Sequence, residues 1–220
     1  MGLSMNKTYL ELVNDVLIRL REAEVQTVSQ NSYSKLIGKF INDGKRQVED
    51  AWNWNCLRDT ITINTVNGTS SYTLAGSGVR FKLITVVDDT NDRELENATH
   101  SAIFTDQLTN NGSNDIPYYY AFNGVDSNND TKVDLYPTPN GAYSIKFRVI
   151  KPQAELSSNS TILTIPNEPV IFYAYAKALA ERGEDGGITT GEAYQLYLQS
   201  LADHIAIESS RTQPEIIWTN

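Results

Sequence analysis

The residues able to do chemistry in this 220-residue chain are few and scattered: two histidines, His100 and His204, and one cysteine, Cys56. His204 follows Asp203 and precedes Glu208 by four positions, a spacing that matches no metal-binding motif. His100, in ENATHSAIF, has no partner close in sequence. A single thiol excludes an intrachain disulfide framework, and Cys56 between Asn55 and Leu57 reads as a buried structural thiol rather than a nucleophile. In DSNNDTKVDLYP, Asp126, Asn128 and Asp130 occupy the first three ligand positions of a calcium-binding loop. The sixth position is Thr131 where Gly is needed, and the twelfth is Pro137 where a bidentate Glu is needed, so the stretch reads as a hairpin turn. The acidic run Asp88–Glu96 (DDTNDRELE) reads as a charged turn. Tyr118, Tyr119 and Tyr120 could stack on a sugar or a base, but side chains alternate along a strand and at most two share a face. No phosphate-cradling glycine loop, GxSxG elbow, HExxH or CxxC is present. The expectation is a protein without catalytic, cofactor-binding or metal-binding residues, and not an enzyme.

The elements that would position these residues fall into three blocks. Residues 8 to 22 read as a helix with Leu10, Val13, Leu17 and Leu20 on one face beside Val16, and Thr8 and Glu11 at capping-box spacing. After the polar link VQTVSQNS, a second helix runs from about Tyr33 to Trp54 on a stripe of Leu36, Ile37, Phe40, Ile41, Val48 and Trp52. Gly38 and Gly44 interrupt it at about 1 kcal/mol each in helix propensity. In DAWNWNCLRDTITINTV the rhythm then changes to alternation. Residues 60–63 and 71–74 read as strands around the Asn67-Gly68 turn signal. Further strands are expected at 81–87, 118–122, 132–136 and 143–150, separated by Asn- and Gly-rich turns, with a short helix in 97–110. From Pro166 the helical period returns, with Asn167 as a cap, Pro169 in the first turn and a small-residue face of Ile171, Ala174, Ala178 and Ala180. Gly183 ends it. A last helix from Glu192 to Ser209 carries Tyr194, Leu198, Leu201 and Ile205.

The fold class expected is therefore α+β: a four-helix-type bundle built from both chain ends, with an inserted antiparallel β domain. The divisions are 1–57 and 166–212 (helical assembly subdomain), 58–165 (antiparallel β subdomain) and 213–220 (C-terminal tail). Trp52 and Trp54, two positions apart, cannot face the same side of a helix, and they mark the joint between the subdomains.

Composition limits the functions open to such a chain. The net charge of -9 and pI near 4.7 argue against a free-standing nucleic-acid binder, which needs a basic face. An acidic surface suits a passage through which DNA must slip without sticking. No apolar run approaches the roughly 18 residues of a membrane span. MGLSMNK has neither a hydrophobic signal core nor the myristoylation pattern, since residue 6 is Asn. The glycosylation triplets at Asn67 and Asn159 then carry no weight, and folding in a reducing cytoplasm is expected.

The order of WNWNCLRDTITI, IPYYYAFNG, VDLYPTPNGAYSIKFRVIKPQAEL and LTIPNEPVIFYAYAKALAERGE resembles phage head-to-tail adaptor proteins of short-tailed phages, the group that includes the tail tubular protein A type. The shared pattern is a Trp-rich helix end entering a strand, a Pro-Tyr strand, a Leu-Tyr-Pro-x-Pro hairpin ending in a Lys-Pro step, and a helix entered through Pro-Glu. It spans roughly residues 8 to 205. The resemblance implies a virion structural protein at the head–tail interface, assembled in the host cytoplasm as a homo-oligomeric ring of twelve copies beneath the portal protein. That ring would meet a tail nozzle protein on its other side, and double-stranded DNA would pass through its lumen without specific binding. No membrane and no cofactor are implied. In RTQPEIIWTN, Pro214 stops the last helix, and Ile216, Ile217 and Trp218 are apolar near a free end. They are the expected partner interface, with fold-back onto the chain's own helices as the alternative. The rival functions are another head-completion or tail protein, such as a stopper or nozzle subunit, and a carbohydrate-binding β module using the tyrosines.

Overall fold

The computed structural model describes residues 6–109, 114–183 and 190–211, with the side chains of 106–109 left out. The fold is α+β, with five α-helices and two sheets among the described residues. The chain divides into two compact units: residues 1–57 with 153–220, and residues 58–152.

In the first unit, helix α1 (Tyr9–Arg19) opens with the capping box anticipated from its sequence: Glu11 N donates to Thr8 Oγ1 at 3.3 Å, and Thr8 N donates to Glu11 Oε2 at 2.7 Å. Two amides that the first helical turn cannot satisfy are thereby paired. The helix closes at Arg19 rather than at residue 22, because Arg21 takes a left-handed φ of 58°. Helix α2 (Ser32–Ala51) is capped by Asn31 through a second box with Ser34 and ends three residues before Trp54. Its buried line is Ile37, Gly38, Ile41, Gly44, Lys45, Val48 and Glu49, while Leu36, Phe40 and Trp52, expected on the core stripe, are only half-buried. The two glycines are places of close approach. A Cβ on Gly38 would overlap the Tyr9 hydroxyl and come within 2.9 Å of Val28 Cγ1. One on Gly44 would lie 3.2 Å from the Val170 carbonyl oxygen.

Helix α4 (Asn167–Arg182) packs against α1, α2 and α5 (Thr190–Ser209), and α1 packs against α2. Small residues let it serve three partners: Ala174, Ala176 and Ala178 are buried, whereas Ala180, expected on this face, is exposed. Asn167 is the first helical residue instead of the cap, and its Oδ1 accepts from Lys7 N at 3.3 Å. Gly183 ends the helix at φ 63°, a left-handed conformation that favours glycine.

The strip 153–165, grouped with the strands on sequence grounds, is stitched to these helices. Leu156 N donates to Asn42 Oδ1 at 2.9 Å, and Tyr9 N donates to the Thr161 carbonyl at 2.8 Å. Val28 N reaches Asn159 Oδ1 at 3.1 Å, and Leu163 N reaches the Lys7 carbonyl at 3.0 Å. At its head, Lys45 Nζ lies 3.0 Å from Glu49 Oε1 and donates to the Gln153 carbonyl at 2.5 Å. Gln153 N donates in turn to Glu49 Oε1 at 3.0 Å. Both charged side chains are almost completely excluded from water, at 2% and 0% exposure.

The second unit is two sheets around one core. Strands β1 (Arg58–Asn64), β3 (Lys82–Asp88), β4 (Arg93–Glu94) and β8 (Ser144–Ile150) form one sheet in the order β1-β8-β3-β4. The other contains β2 (Ser71–Thr73), β5 (Glu96–Asn97), β6 (Tyr119–Val125) and β7 (Thr131–Tyr136) in the order β2-β7-β6-β5. All pairings are antiparallel except β5 with β6. Ile63, Phe147 and Val86 from the first sheet meet Val133, Leu135 and Tyr120 from the second. Asn67-Gly68 does not close a hairpin. The strands on either side belong to different sheets, β1 pairing with β8 and β2 with β7. Gly68, at φ 80°, instead serves a crossing between sheets that is pinned by its N–H to the Pro139 carbonyl at 2.8 Å. The short helix expected in 97–110 is α3 (His100–Thr109).

A buried ion pair is held by its partners, so removing one charge strands the other, typically at 3–5 kcal/mol. Glu49→Gln should therefore destabilise the chain by about 3 kcal/mol in urea unfolding at neutral pH, a cost a surface pair would not show. Burial also pushes the phenols of Tyr9, Tyr33 and Tyr197 above their ordinary pKa of 10.0. Folding then favours the neutral phenol, a contribution fully present below pH 10 or so and lost as pH rises through the higher folded values. An alkaline titration followed by tyrosinate absorbance and helical circular dichroism should show helix loss accompanying late tyrosine ionisation.

Candidate assembly interface

Each group with chemical potential has a structural occupation. His204 Nδ1 lies 2.8 Å from the Ser200 carbonyl of its own helix. Cys56 sits in a short 3-10 turn, Asn55–Leu57, and is exposed rather than buried as expected from its sequence setting, while partial desolvation first and the Glu208 carboxylate second hold its thiol above the usual range. That disfavours the thiolate a nucleophile requires. His100 Nε2 lies 3.2 Å from Asp134 Oδ2, which also accepts from Asn123 Nδ2 at 2.9 Å, and its ring stacks on Phe104. This pairing crosses 34 positions and joins α3 to β7, so nothing local in the sequence announces it.

The calcium-like loop is occupied by its own backbone. Asp126 Oδ1 accepts from Asn128 N at 2.8 Å and Asp130 N at 2.9 Å. The Asp130 carboxylate accepts from Gly78 N at 2.9 Å and Gly76 N at 2.8 Å, bonds that hold its pKa below the ordinary value. Among the described residues no group of three His, Cys, Asp or Glu side chains could hold a metal ion. In the acidic run, Asp88 is buried and its carboxylate accepts from Thr90 N at 3.0 Å and Asn91 Nδ2 at 2.6 Å, a turn as expected. In the tyrosine run, Tyr120 is buried edge-on against Phe122 and Phe147. Tyr118 carries the Arg93 guanidinium 3.9 Å above its ring. The two exposed tyrosines, Tyr118 and Tyr119, are consecutive, and consecutive strand residues point to opposite faces, so they make no shared platform.

Trp54 is 1% exposed within the helical unit, and its indole N–H donates to the Val48 carbonyl at 2.6 Å. It thus satisfies one of the carbonyls orphaned at the end of α2. Trp52 is the C-cap of that helix and leaves it in an extended conformation, φ -149°. Pro214, Ile216, Ile217 and Trp218 lie outside the described residues.

The unsatisfied part of the helical unit is apolar, and it lies on α5. Only Ala193, Tyr197 and Ser200 of this helix are buried. The stripe of Tyr194, Leu198, Leu201 and Ile205 read from the period is not the covered face: Tyr194 and Leu198 are 42% and 40% exposed, and Leu201 and Ile205 are half-buried. Leu196 and Ile207 stand exposed on the other flank. The apolar arc of α5 is wider than the neighbouring helix α4 covers, which a helix in a finished monomer seldom shows. Near its C-terminal end a cleft of about 870 Å³ is walled by Trp54, Cys56, Ile171, His204 and Glu208. A second cleft of about 600 Å³ runs along α2, with Lys35, Lys39 and Arg46 beside Tyr9 and Leu156.

The two histidines and the carboxylates of the calcium-like loop and the acidic run each make contacts within the fold, and helix α5 keeps an exposed apolar flank. The model of the SU10 adaptor protein family matches residues 7–216, nearly the whole length, and the chain belongs to that family. No curated protein matches it. Membership makes it a phage adaptor, a structural component of the virion, and implies a non-enzymatic role, self-association and contacts with portal and tail proteins. Among the described residues no helix is long and apolar enough to cross a membrane.

Trp54 combines a filled volume with one hydrogen bond. Trp54→Phe should cost about 1–2 kcal/mol from the lost bond to the Val48 carbonyl, and Trp54→Ala about 3–5 kcal/mol. Thermal unfolding of the two variants separates these contributions.

Proposed function

We propose that copies of this chain form a ring that joins the portal to the tail nozzle of a short-tailed phage, in the manner of the tail tubular protein A type, and lines part of the channel for DNA ejection. The helical unit drawn from both chain ends (1–57 with the strip 153–165 and helices α4 and α5), arranged as a four-helix-type bundle, makes the contacts between neighbours and with the portal. The antiparallel β unit (58–152) continues the channel toward the nozzle, with Trp52 and Trp54 at the joint. The ring has twelve copies, as the resemblance implies, and assembles in the host cytoplasm. Residues 213–220 reach the portal or a neighbouring copy through Ile216, Ile217 and Trp218, with Pro214 releasing them from α5.

The observation that carries this reading is the exposed apolar flank of α5 in a chain that belongs to an adaptor family. Neighbours that meet through this one flank would be held most firmly once lined up on a template. The net charge of -9 is in keeping with a lumen that lets DNA pass without adhesion.

Deletion of residues 213–220 should leave the unfolding transition of the chain intact while lowering its capture by the cognate portal at least tenfold in co-sedimentation. Full capture by the shortened chain would remove the tail from the interface. Leu198→Glu, at an exposed position, should likewise spare folding within about 0.5 kcal/mol yet reduce incorporation into the portal-bound ring.

A further inference from the structure

Two patches on the helical unit are complementary in charge and length. On α2, Lys35 and Lys39 are exposed and pair with no carboxylate among the described residues, whereas Lys7, Arg46 and Arg182 are each matched by one. At about 100° per residue, Lys35, Lys39, Asn42 and Arg46 fall within an arc of roughly 60°, turned away from Gly44, where α4 approaches. They line the cleft of about 600 Å³, together with Tyr9, Val28 and Leu156. Val28 lies at the Lys35 end, its carbonyl accepting from Ser34 Oγ at 2.9 Å, and Leu156 lies toward the other, its N–H held by Asn42. On α5, Leu196 and Ile207 are 38% and 52% exposed. Asp203 stands between them, an exposed carboxylate with no cation partner among the described residues. These three fall within roughly 40° of arc, on the opposite rim of the buried line from Tyr194 and Leu198.

We infer that this rim of α5 docks antiparallel into the α2 cleft of a second copy of the chain. Lys35 to Arg46 and Leu196 to Ile207 each span a rise of about 16 Å. Laid antiparallel, the two stretches bring Asp203 opposite Lys39, Ile207 over Val28 beside Lys35, and Leu196 over Leu156 beside Arg46. The occupant is a second copy because the chain, acidic overall at a net charge of -9, presents unpaired cations on one face of its helical unit and the matching acid on another. Such a contact joins two different surfaces, so it runs on from copy to copy into a ring, whereas a self-matching patch stops at a dimer. Exposed charges add little affinity, so the apolar pair supplies the hold and the charges set the register. This contact rests on the ring assembly proposed above, for which it supplies the neighbour's receiving surface.

The test uses full-length chains and the cognate portal, with ring incorporation read by co-sedimentation. Lys35, Lys39 and Asp203 are all exposed, so charge reversal there should leave the unfolding transition in place. Asp203→Lys in one chain, and Lys35→Glu with Lys39→Glu in another, should each lower incorporation at least tenfold. An equimolar mixture of the two should restore at least half of it, because every copy then meets a neighbour of opposite charge on both sides. Normal incorporation of either variant alone, or a mixture that stays impaired, would overturn the inference. The chain by itself gives a second readout that needs no portal. With Cys56→Ser, Lys39→Cys and Asp203→Cys, a short bismaleimide at high protein concentration should bridge position 39 of one copy to position 203 of another. Bridges between like positions only, or none, would overturn the contact. A 39-to-203 bridge in a chain that ignores the portal would leave the contact standing and count against the adaptor function.

Discussion

The helical unit depends on a pair of charges held out of water. Lys45 and Glu49, one turn apart on α2, pair with each other and grip both backbone groups of Gln153. Charges in such a place are tolerated only when every partner is present, since desolvation otherwise exceeds their attraction. Gln153 is the first residue after the 58–152 unit, so the grip sets where the chain re-enters the helical unit. From there Asn42 receives Leu156, Asn159 receives Val28, and Thr161 receives the first amide of α1. This strip delivers the chain to Pro166 and α4. Helix α4 in turn carries α5, so the position of the exposed flank traces back to two side chains on α2.

Burial is uneven along this hierarchy. Helix α4 is enclosed by three partners, and its alanines allow close packing. Helix α5 rests chiefly on α4 and brings more apolar surface than α4 covers. An isolated globular protein would be expected to replace Tyr194 and Leu198 with polar residues. An adaptor has a reason to keep them. On the second unit, His100, Asp134, Asp126 and Asp130 are each committed to turns or to helix–strand contacts.

Much of the local structure was legible because local rules decide it. The Thr8–Glu11 box and the alternation of residues 60–63 and 132–136 needed no tertiary information. The failures have a common physical source, which is that partner choice is non-local. Asn67-Gly68 has the residue types of a hairpin, but β1 and β2 each found a better partner far along the chain, as in Ile61 with Phe147 and Tyr72 with Val133. Nothing local in the sequence marks Lys45 and Glu49 as buried, because the partner that holds them is Gln153, more than a hundred positions on. On α5 the period located the apolar stripe but could not say that only its edge would be covered, because that depends on the width of the neighbouring helix. Gly38 and Gly44 were ambiguous for the same reason, and the Tyr9 and Val170 contacts resolve them.

The central claim is that this chain is completed by copies of itself on a portal. The most direct measurement is size-exclusion chromatography with light scattering, on the chain alone and mixed with the portal of its phage. The account predicts a monomer alone and, with the portal, a single large species of fixed stoichiometry whose mass gives the copy number. A chain that elutes unchanged beside the portal, as a monomer in both runs, would contradict it.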